Sequence, residues 1–538
     1  MKDKLILWSD SHISNWTGQF NAKSFESGID LICRELQSSG SKTELVHLGD
    51  LTDEGVFVDY SYANEVIIKE FAKHGFADIW EQTYKIPGNH DVRNEGSVIW
   101  ESFYGERNFL IELENLIVLG IDSCEPDMNS GRIGGRGAEE ILRLQPYSDD
   151  MVKILCIHHH LVPIPNTGRE RSTIQDAGDI IDVVFEAGVD VVLTGHRHHP
   201  HWYTLTRGGR KLIIINSGTF SANKTRALAG HSFVVLGFDT SRDRLDIRFQ
   251  GTDAYSPYRM GIQSEKTLAG TYVGPGSEGA QVNKIIQLSD THFSSGSAFL
   301  EDIFELGITA IKEEAPDAIV HCGNLTNNSY REDYRLARAS LKDLRSIPVL
   351  VVPGPYDLHP LGKELFVEKI GPLDPLMELM DLHIVGLNTG ANNPGVLGRA
   401  RVGRIMEQLA QTNKPLVVAM HHSPIPVPRT RFEGQLLDAG VVLFFLTKME
   451  IPLVLTGLDH YAYSLRVNDS VFINCSSLSN PKLKSRRLNT YNCITLYDNG
   501  VIKAQEVEIV SRVRHDLGWY HLPNLWLMSR DPVEQDAQ

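Results

Sequence analysis

Short apolar runs, each closing on polar residues and a turn, recur along the chain: "LILW" at 5–8, "ELVHL" at 44–48, "ILCI" at 154–157 and "DVVLT" at 190–194. Runs of this length rich in β-formers predict buried strands, and the polar residues after each mark the strand end. Between the first two runs, "FESGIDLICREL" sets Phe25, Ile29, Ile32 and Leu36 at helical spacing, which predicts an amphipathic helix with one face on a core. Strand, helix and strand alternate. That order implies α/β layering with helices outside, and in such folds the strand ends carry the chemistry.

The same pattern occurs twice. "KLILWSDSHIS" at 4–14 returns as "KIIQLSDTHFS" at 284–294, and "ELVHLGDLTD" at 44–53 is matched by "AIVHCGNLTN" at 318–327. "YKIPGNHDVR" at 84–93 is echoed by "VVPGPYDLHP" at 351–360, and "KILCIHHHLVPIP" at 153–165 by "LVVAMHHSPIPVP" at 416–428. "DVVLTGHRHH" at 190–199 returns as "IPLVLTGLDHY" at 451–461, and "LIIINSGTFS" at 212–221 as "SVFINCSSLS" at 470–479. Order is preserved throughout, so the chain reads as two homologous domains. The expected division is a first domain over residues 1–255, a linker over 256–283, a second domain over 284–510 and a tail over 511–538. The Gly-rich, polar stretch at 270–283 suggests the linker. The aromatic "GWYHLPNLWL" in the tail is expected to pack on a domain.

Composition narrows the class. A chain of 538 residues exceeds one compact core, and 42% hydrophobic with 22% charged residues is ordinary for a soluble globular protein. Six cysteines without paired spacing fit reduced thiols and a cytoplasmic location better than a disulfide framework. "LILW" is too short for a signal peptide, and no apolar run approaches the roughly 20 residues of a membrane helix. A formal net charge of −16 argues against a broad nucleic-acid surface, though not against a local basic patch.

The chemistry concentrates at strand ends of the first half: Asp10 and His12, Asp50, Asn89 and His90, His158, then His196 and His198. Each alone is weak, because Asp-x-His and single histidines are common. Together, carboxylates, an amide oxygen and imidazoles form a mixed oxygen and nitrogen donor set suited to Mn, Fe or Zn. The pattern "DSH … GD … GNHD … HHH … GHRH" resembles the calcineurin-like metallophosphoesterase superfamily over about residues 1–250, and again over about 281–510. "CIHHHLVPIP" and the short, cap-poor layout are most similar to its class III cyclic-nucleotide phosphodiesterase and glycerophosphodiesterase branch.

The resemblance implies two tandem four-layer α/β/β/α sandwiches and a two-metal site in the first. One metal would take Asp10, His12 and His198 with Asp50 bridging; the other would share Asp50 and take Asn89, His158 and His196. His159 and His160 would then line the pocket or support the ligands. Two metal ions lower the pKa of a bridging water and clamp the attacking and leaving oxygens, which a phosphate ester ringed by negative oxygens needs. His90, beside Asn89, is the candidate to stabilise the transition state or protonate the leaving oxygen, with Asp91 orienting its ring. Arg132 and Arg136, or Lys224 and Arg226, could meet a phosphate or nucleotide, with a solvated loop as the preferred reading, and His199 and His201 are read as loop residues.

The second copy keeps Asp290, His292, His421 and His460, but has Asn324 for Asp50, Pro355 for Asn89, Tyr356 for His90 and Leu458 for His196. An amide cannot replace a bridging carboxylate without giving up the negative charge between two cations, and Pro and Leu offer no side-chain donor. A second hydrolytic site is therefore not expected. Two readings stay open for this domain: a structural partner that packs on or dimerises with the first, or a holder of one metal or a phosphate-containing ligand at Asp290, His292, Asn324, His421 and His460. For the whole chain the expected function is a metal-dependent phosphoesterase, a phosphodiesterase acting on a small substrate such as a cyclic nucleotide through a metal-activated hydroxide. A nuclease of the same superfamily and a non-enzymatic scaffold are the alternatives, and no membrane partner is expected.

Overall fold

A computed structural model describes residues 3–38, 42–148, 150–167, 172–226, 230–238, 245–252, 262–266, 272–390, 392–409, 412, 414–430, 436–484 and 488–526. The chain divides into two units, one built from residues up to 205 with 210–271, the other from 206–209 with the residues from 272 onward.

The first unit contains β1 (Asp3–Trp8), β2 (Thr43–His47), β3 (Tyr84–Lys85), β4 (Phe109–Glu112), β5 (Leu116–Gly120), β6 (Val152–Cys156), β7 (Val191–Thr194), β8 (His201–Arg207), β9 (Arg210–Asn216), β10 (Ser232–Phe238), β11 (Leu245–Gly251) and β12 (Ile262–Lys266). One sheet runs β12-β11-β10-β1-β2-β3 and another β8-β9-β7-β6-β5-β4. The strands that end at the site lie parallel to their neighbours: β1 with β2, β2 with β3, β5 with β6, and β6 with β7. Parallel neighbours require crossovers, which the helices α1 (Ala22–Ser38), α2 (Phe57–Ala72), α3 (Ile79–Gln82), α4 (Gly96–Tyr104), α5 (Gly134–Leu142) and α6 (Ala177–Ala187) supply.

Alternation along β1 shows why the layers form. Leu5 and Leu7 enter a core shared with Val118, Ile154, Leu193 and Ile215 of the other sheet, so the two sheets face each other. Ile6 and Trp8 point the opposite way, against Phe25, Ile29 and Ile32 of α1 and Ile67 of α2. The periodicity read at Phe25, Ile29 and Ile32 is therefore the face that α1 buries, while Leu36 lies at its margin, partly buried. With α5 and α6 as the crossovers of the other sheet, whose β5, β6 and β7 are buried throughout, the order is helix, sheet, sheet, helix.

The second unit repeats this plan with β13 (Gln281–Leu288), β14 (Ala318–His321), β15 (Val349–Val351), β16 (Leu376–Glu378), β17 (His383–Leu387), β18 (Leu416–Met420), β19 (Leu453–Thr456), β20 (Tyr463–Val467), β21 (Ser470–Asn474), β22 (Thr490–Tyr497), β23 (Val501–Glu508) and β24 (Arg514–His521). Its sheets run β15-β14-β13-β22-β23-β24 and β16-β17-β18-β19-β21-β20. Ile285 and Val320 lie between the sheets, and Ile286, Leu288 and Ile319 face the helices. Two strands lie within stretches read above as connecting chain, and β13 begins inside the last residues of the expected linker. Residues 262–266, inside the expected linker, form edge strand β12 on β11, and 514–521, inside the expected tail, form the corresponding edge strand β24 on β23. Leu522 and Leu525 beyond it are buried in the inter-sheet core. Residues 253–261 and 267–271 lie outside the described residues. Among the described residues, no helix is long and apolar enough to cross a membrane, and all six cysteines are free.

Removing buried volume between the sheets is the sharpest test of this packing. Leu7→Ala is expected to cost about 2–5 kcal/mol, because the facing sheet cannot close the gap, whereas Val98→Ala on the exposed face of α4 stays within about 0.5 kcal/mol. Urea unfolding of the full chain measures both.

Candidate metal centre

The loops after β1 and β2 leave their strands side by side and continue to pair. Leu48 donates to Trp8 O (2.9 Å), Asp10 N to Gly49 O (2.9 Å), His12 N to Asp50 O (3.0 Å) and Ile13 N to Leu51 O (2.8 Å). These rungs hold Asp10, His12 and Asp50 in left-handed backbone, with φ of 54°, 47° and 53°; His196 and His198 after β7 have φ of 69° and 53°. A non-glycine residue there costs on the order of 1 kcal/mol or more, and all five are proposed ligands. Gly88 permits the closest approach in the site, since a Cβ there would fall 2.2 Å from Asp50 Oδ1.

The side chains meet as follows. Asp10 accepts on Oδ2 from Ser9 Oγ and from His196 N (2.9 Å), which leaves Oδ1 facing His198 Nε2 at 3.1 Å. Asp50 accepts on Oδ1 from His90 N (2.8 Å) and turns Oδ2 between His158 Nε2 (3.3 Å) and His12 Nε2 (3.6 Å). Asn89 places Oδ1 2.7 Å from His196 Nδ1 and 3.3 Å from His158 Nε2, and its amide nitrogen reaches Asn129. The structure thus brings together Asp10, His12, Asp50 and His198 as one group, and Asp50, His158 and His196 as another.

Proton placement tests whether metal fits. His12 donates through Nδ1 to Asp53 Oδ1 (2.9 Å), His158 through Nδ1 to Leu48 O (2.7 Å), and His198 through Nδ1 to Lys224 O (2.5 Å). A neutral imidazole whose proton is committed outward presents a lone pair on Nε2. Those of His12 and His198 face each other at 3.2 Å. Converging nitrogen lone pairs and carboxylate oxygens repel unless a positive charge sits among them, and this oxygen and nitrogen donor set suits Mn, Fe or Zn. The outward contacts are the orienting bonds that metal-binding histidines need. Burial and the neighbouring histidines also push His196 well down, which favours its neutral form. At His158, by contrast, Asp50 and Asp10 outweigh burial and raise the ring to about 9, so a metal ion there would take the place of a proton shared with Asp50.

"HHH" resolves by partner. His158 faces Asp50 and Asn89, His159 bonds Ser123 Oγ (2.9 Å), and His160 bonds Thr194 Oγ1 (3.1 Å). His90 is half-buried at the mouth. Its Nδ1 lies 2.7 Å from Asp53 O and 3.3 Å from Asp53 Oδ1, and Arg93 Nη2 lies 3.0 Å from its Nε2. Burial works against a charge on this ring, but Asp50 and Asp53 outweigh it and raise its pKa.

Asp91 does not orient His90, contrary to the sequence reading. Its carboxylate turns inward and accepts from Gly88 N (2.9 Å), Leu51 N (3.0 Å), Thr52 N (2.8 Å) and Thr52 Oγ1 (2.9 Å). It ties the β3 loop to the β2 loop, while Asp53 and Arg93 hold the His90 ring. Lys224 and Arg226, read as solvated, line the cavity because the His198 bond to Lys224 O draws that segment over the site. Arg132 and Arg136 are not among the lining residues. His199 and His201 have ring centroids 6.2 Å apart, and His201 opens β8 rather than lying in a loop.

In the second unit, Asp290, His292 and His460 group together, with Asp290 Oδ1 3.4 Å from His292 Nε2 and 3.2 Å from His460 Nε2. Asn324 donates through Nδ2 to Asp290 Oδ1 (2.8 Å) and lies 3.1 Å from His421 Nε2. Asp357 repeats the Asp91 contacts on Gly354, Leu325 and Thr326.

A sequence model of the calcineurin-like phosphoesterase family matches residues 4–200 and again 283–461. The glycerophosphodiester phosphodiesterase GpdQ of Enterobacter lignolyticus is 27% identical over 199 residues, covering 33% of this chain and 69% of that protein. A probable glycerophosphodiester phosphodiesterase GpdQ of Arcobacter nitrofigilis is 27% identical over 173 residues, covering 29% of this chain and 63% of that protein. The chain thus spans about two thirds of the length of these curated relatives. A solved dimetal phosphatase from Danio rerio aligns with a TM-score of 0.37 at 10% identity, over 45% of this chain and 100% of that one.

The inward carboxylates give a matched prediction. Asp91→Ala and Asp357→Ala each leave backbone donors buried without acceptors, so each should cost roughly 2–5 kcal/mol in urea unfolding. Comparable losses are expected; a stability cost absent from Asp91→Ala would restore it as a group serving His90.

Proposed function

The chain belongs to the calcineurin-like phosphoesterase family as a metal-dependent phosphoesterase, and on that footing we propose that its first unit hydrolyses small phosphodiesters through a centre of two metal ions. Asp10, His12 and His198 would hold one ion and Asn89, His158 and His196 the other, with Asp50 available to both. The observation that carries this reading is Asp50 Oδ2, turned between His158 Nε2 at 3.3 Å and His12 Nε2 at 3.6 Å. When bound, the two ions supply Lewis acidity that makes water nucleophilic at neutral pH and offsets charge on the phosphoryl oxygens.

The chain's own residues do the remaining work. The cavity beside the centre has a volume of about 380 Å³, within the range of small-molecule sites. Arg93, Arg197, Lys224 and Arg226 line it, an anion-attracting wall in a chain of net charge −16. Gln19 and Asn129 add neutral donors for the substrate's hydroxyls or amides. His90 keeps its Nδ1 proton on Asp53 and receives Arg93 at Nε2. Once Arg93 turns to the phosphoryl group and a proton takes its place at Nε2, the ring gives that proton to the leaving oxygen as the P–O bond breaks. Arg93 there meets the negative charge on the phosphoryl group. Water adds to phosphorus, the ester bond is lost, and the products are a phosphomonoester and an alcohol. The names of the relatives support glycerophosphodiesters as candidates beside cyclic nucleotides.

Hydrolysis by the metal-loaded full chain tests the reading. Bis-p-nitrophenyl phosphate should be cleaved faster than p-nitrophenyl phosphate, and small natural diesters should compete with it. Asp50→Asn should lower kcat by at least about a thousandfold, and His90→Ala by about 10²–10⁴ with metal content unchanged. An inert metal-loaded protein, a preference for the monoester, or cleavage confined to DNA would overturn it.

A further inference from the structure

The second unit keeps the strained framework of the first but not all of its chemistry. Asp290, His292, Asn324 and His460 retain left-handed φ of 52°, 54°, 53° and 52°. The same rungs hold them, from Asp290 N to Gly323 O (3.0 Å) and from His292 N to Asn324 O (3.0 Å). His196 is left-handed in the first unit, whereas Leu458 in its place sits in the short helical turn Leu458–His460 with no such strain. Strain has been kept at one half of the ancestral centre and dropped at the other.

Hydrogen bonding divides the site along the same line. Tyr356 N donates to Asn324 Oδ1 (3.1 Å), as His90 N donates to Asp50 Oδ1, so the amide nitrogen is fixed where Asp50 presents its second oxygen. That nitrogen carries two protons, directed at Asp290 Oδ1 and His421 Nε2. His421 also donates through Nδ1 to Cys322 O (2.8 Å), which leaves its Nε2 lone pair taken by Asn324. Pro355 and Leu458 supply no donor atom. This half is closed by its own hydrogen bonds.

The other half has its protons on the outside. His292 donates through Nδ1 to Asn327 Oδ1 (3.1 Å), an oxygen fixed because Asn327 Nδ2 donates to Asn328. His460 donates through Nδ1 to Lys482 O. Both Nε2 lone pairs therefore converge on Asp290 Oδ1, and His292 Nε2 is a buried nitrogen with no hydrogen-bond partner. Asp290 is fully buried and its Oδ2 is engaged by Ser289 Oγ (2.6 Å). Two imidazole nitrogens and one carboxylate oxygen, with no thiolate, suit a single divalent transition metal with open coordination positions.

We propose that the second unit holds one divalent transition metal ion on Asp290, His292 and His460, and that Asn324 excludes both a second ion and His421 from the set. Tyr356, whose ring centroid lies 4.9 Å from that of His292, stands where the first unit has His90. With no carboxylate shared between two ions and no imidazole at the leaving-group position, this ion lacks the apparatus proposed for hydrolysis. It closes the loop framework or offers its open positions to an anionic ligand.

Metal content of the purified full chain, loaded with Mn or Zn and freed of excess, decides the matter without reference to turnover. Three equivalents are expected for the unaltered chain. Two are expected for His292→Ala and for the partly exposed His460→Ala, three for His421→Ala, and one for Asp10→Ala/His158→Ala, which disables the first unit's ligands. Circular dichroism of each metal-free variant confirms that the folded chain is being counted. The proposal is overturned if Asp10→Ala/His158→Ala keeps no ion, or if His421→Ala loses an ion as His292→Ala does. Loss of phosphodiesterase activity alongside a retained ion in Asp10→Ala/His158→Ala would leave this inference standing whatever becomes of the first.

Discussion

Everything at the candidate centre follows from where the imidazole protons go. His12, His158 and His198 each spend their Nδ1 proton on an oxygen outside the cluster, on Asp53, Leu48 and Lys224. Their Nε2 lone pairs are thereby fixed inward, against the largely buried carboxylates of Asp10 and Asp50. Only positive charge makes this arrangement favourable. The loops must accept left-handed backbone to bring the donors together, and the parallel strand ends hold them there through the rungs between the β1 and β2 loops.

The duplication separates scaffold from chemistry. Asp91 and Asp357 each tie two loops together through the same backbone donors, and Tyr60 and Tyr334 donate to the carbonyl oxygens of those aspartates at 2.6 and 2.5 Å. Gly88 and Gly354 allow equally close approach to Asp50 and Asn324. None of these residues needs a metal to be useful, and all are present in both units. The divergence lies in a few atoms, above all an amide nitrogen in Asn324 where Asp50 has an oxygen. That one exchange turns an acceptor facing two histidines into a donor that satisfies His421 and Asp290.

Much of this was legible in the sequence. Apolar runs ending in ligand-type residues located the strand ends, and the repeat located both units. The heptad-like spacing of Phe25, Ile29 and Ile32 correctly gave the buried face of α1. Side-chain direction was harder to read. Asp91 follows His90 directly and invites pairing with it, yet successive residues in a tight turn point apart, and the ring is held by Asp53 and Arg93 instead. Arg93 follows three residues on in the same loop, but Asp53 arrives from the β2 loop, and no local spacing signals that it meets the ring. Lys224 and Arg226 look like ordinary loop cations because only the bond from His198 to a backbone oxygen brings their segment to the cavity. Strands β12 and β24 were missed because edge strands carry weak, half-polar patterns that resemble linker and tail.

The most direct test is crystallography of the manganese-loaded chain with anomalous scattering recorded at the metal edge. Two peaks in the first unit, one among Asp10, His12 and His198 and one among Asn89, His158 and His196, with Asp50 reaching both, is the predicted result. A single peak there, or none at an occupancy that the second unit does reach, would contradict the two-metal centre on which the phosphodiesterase reading rests.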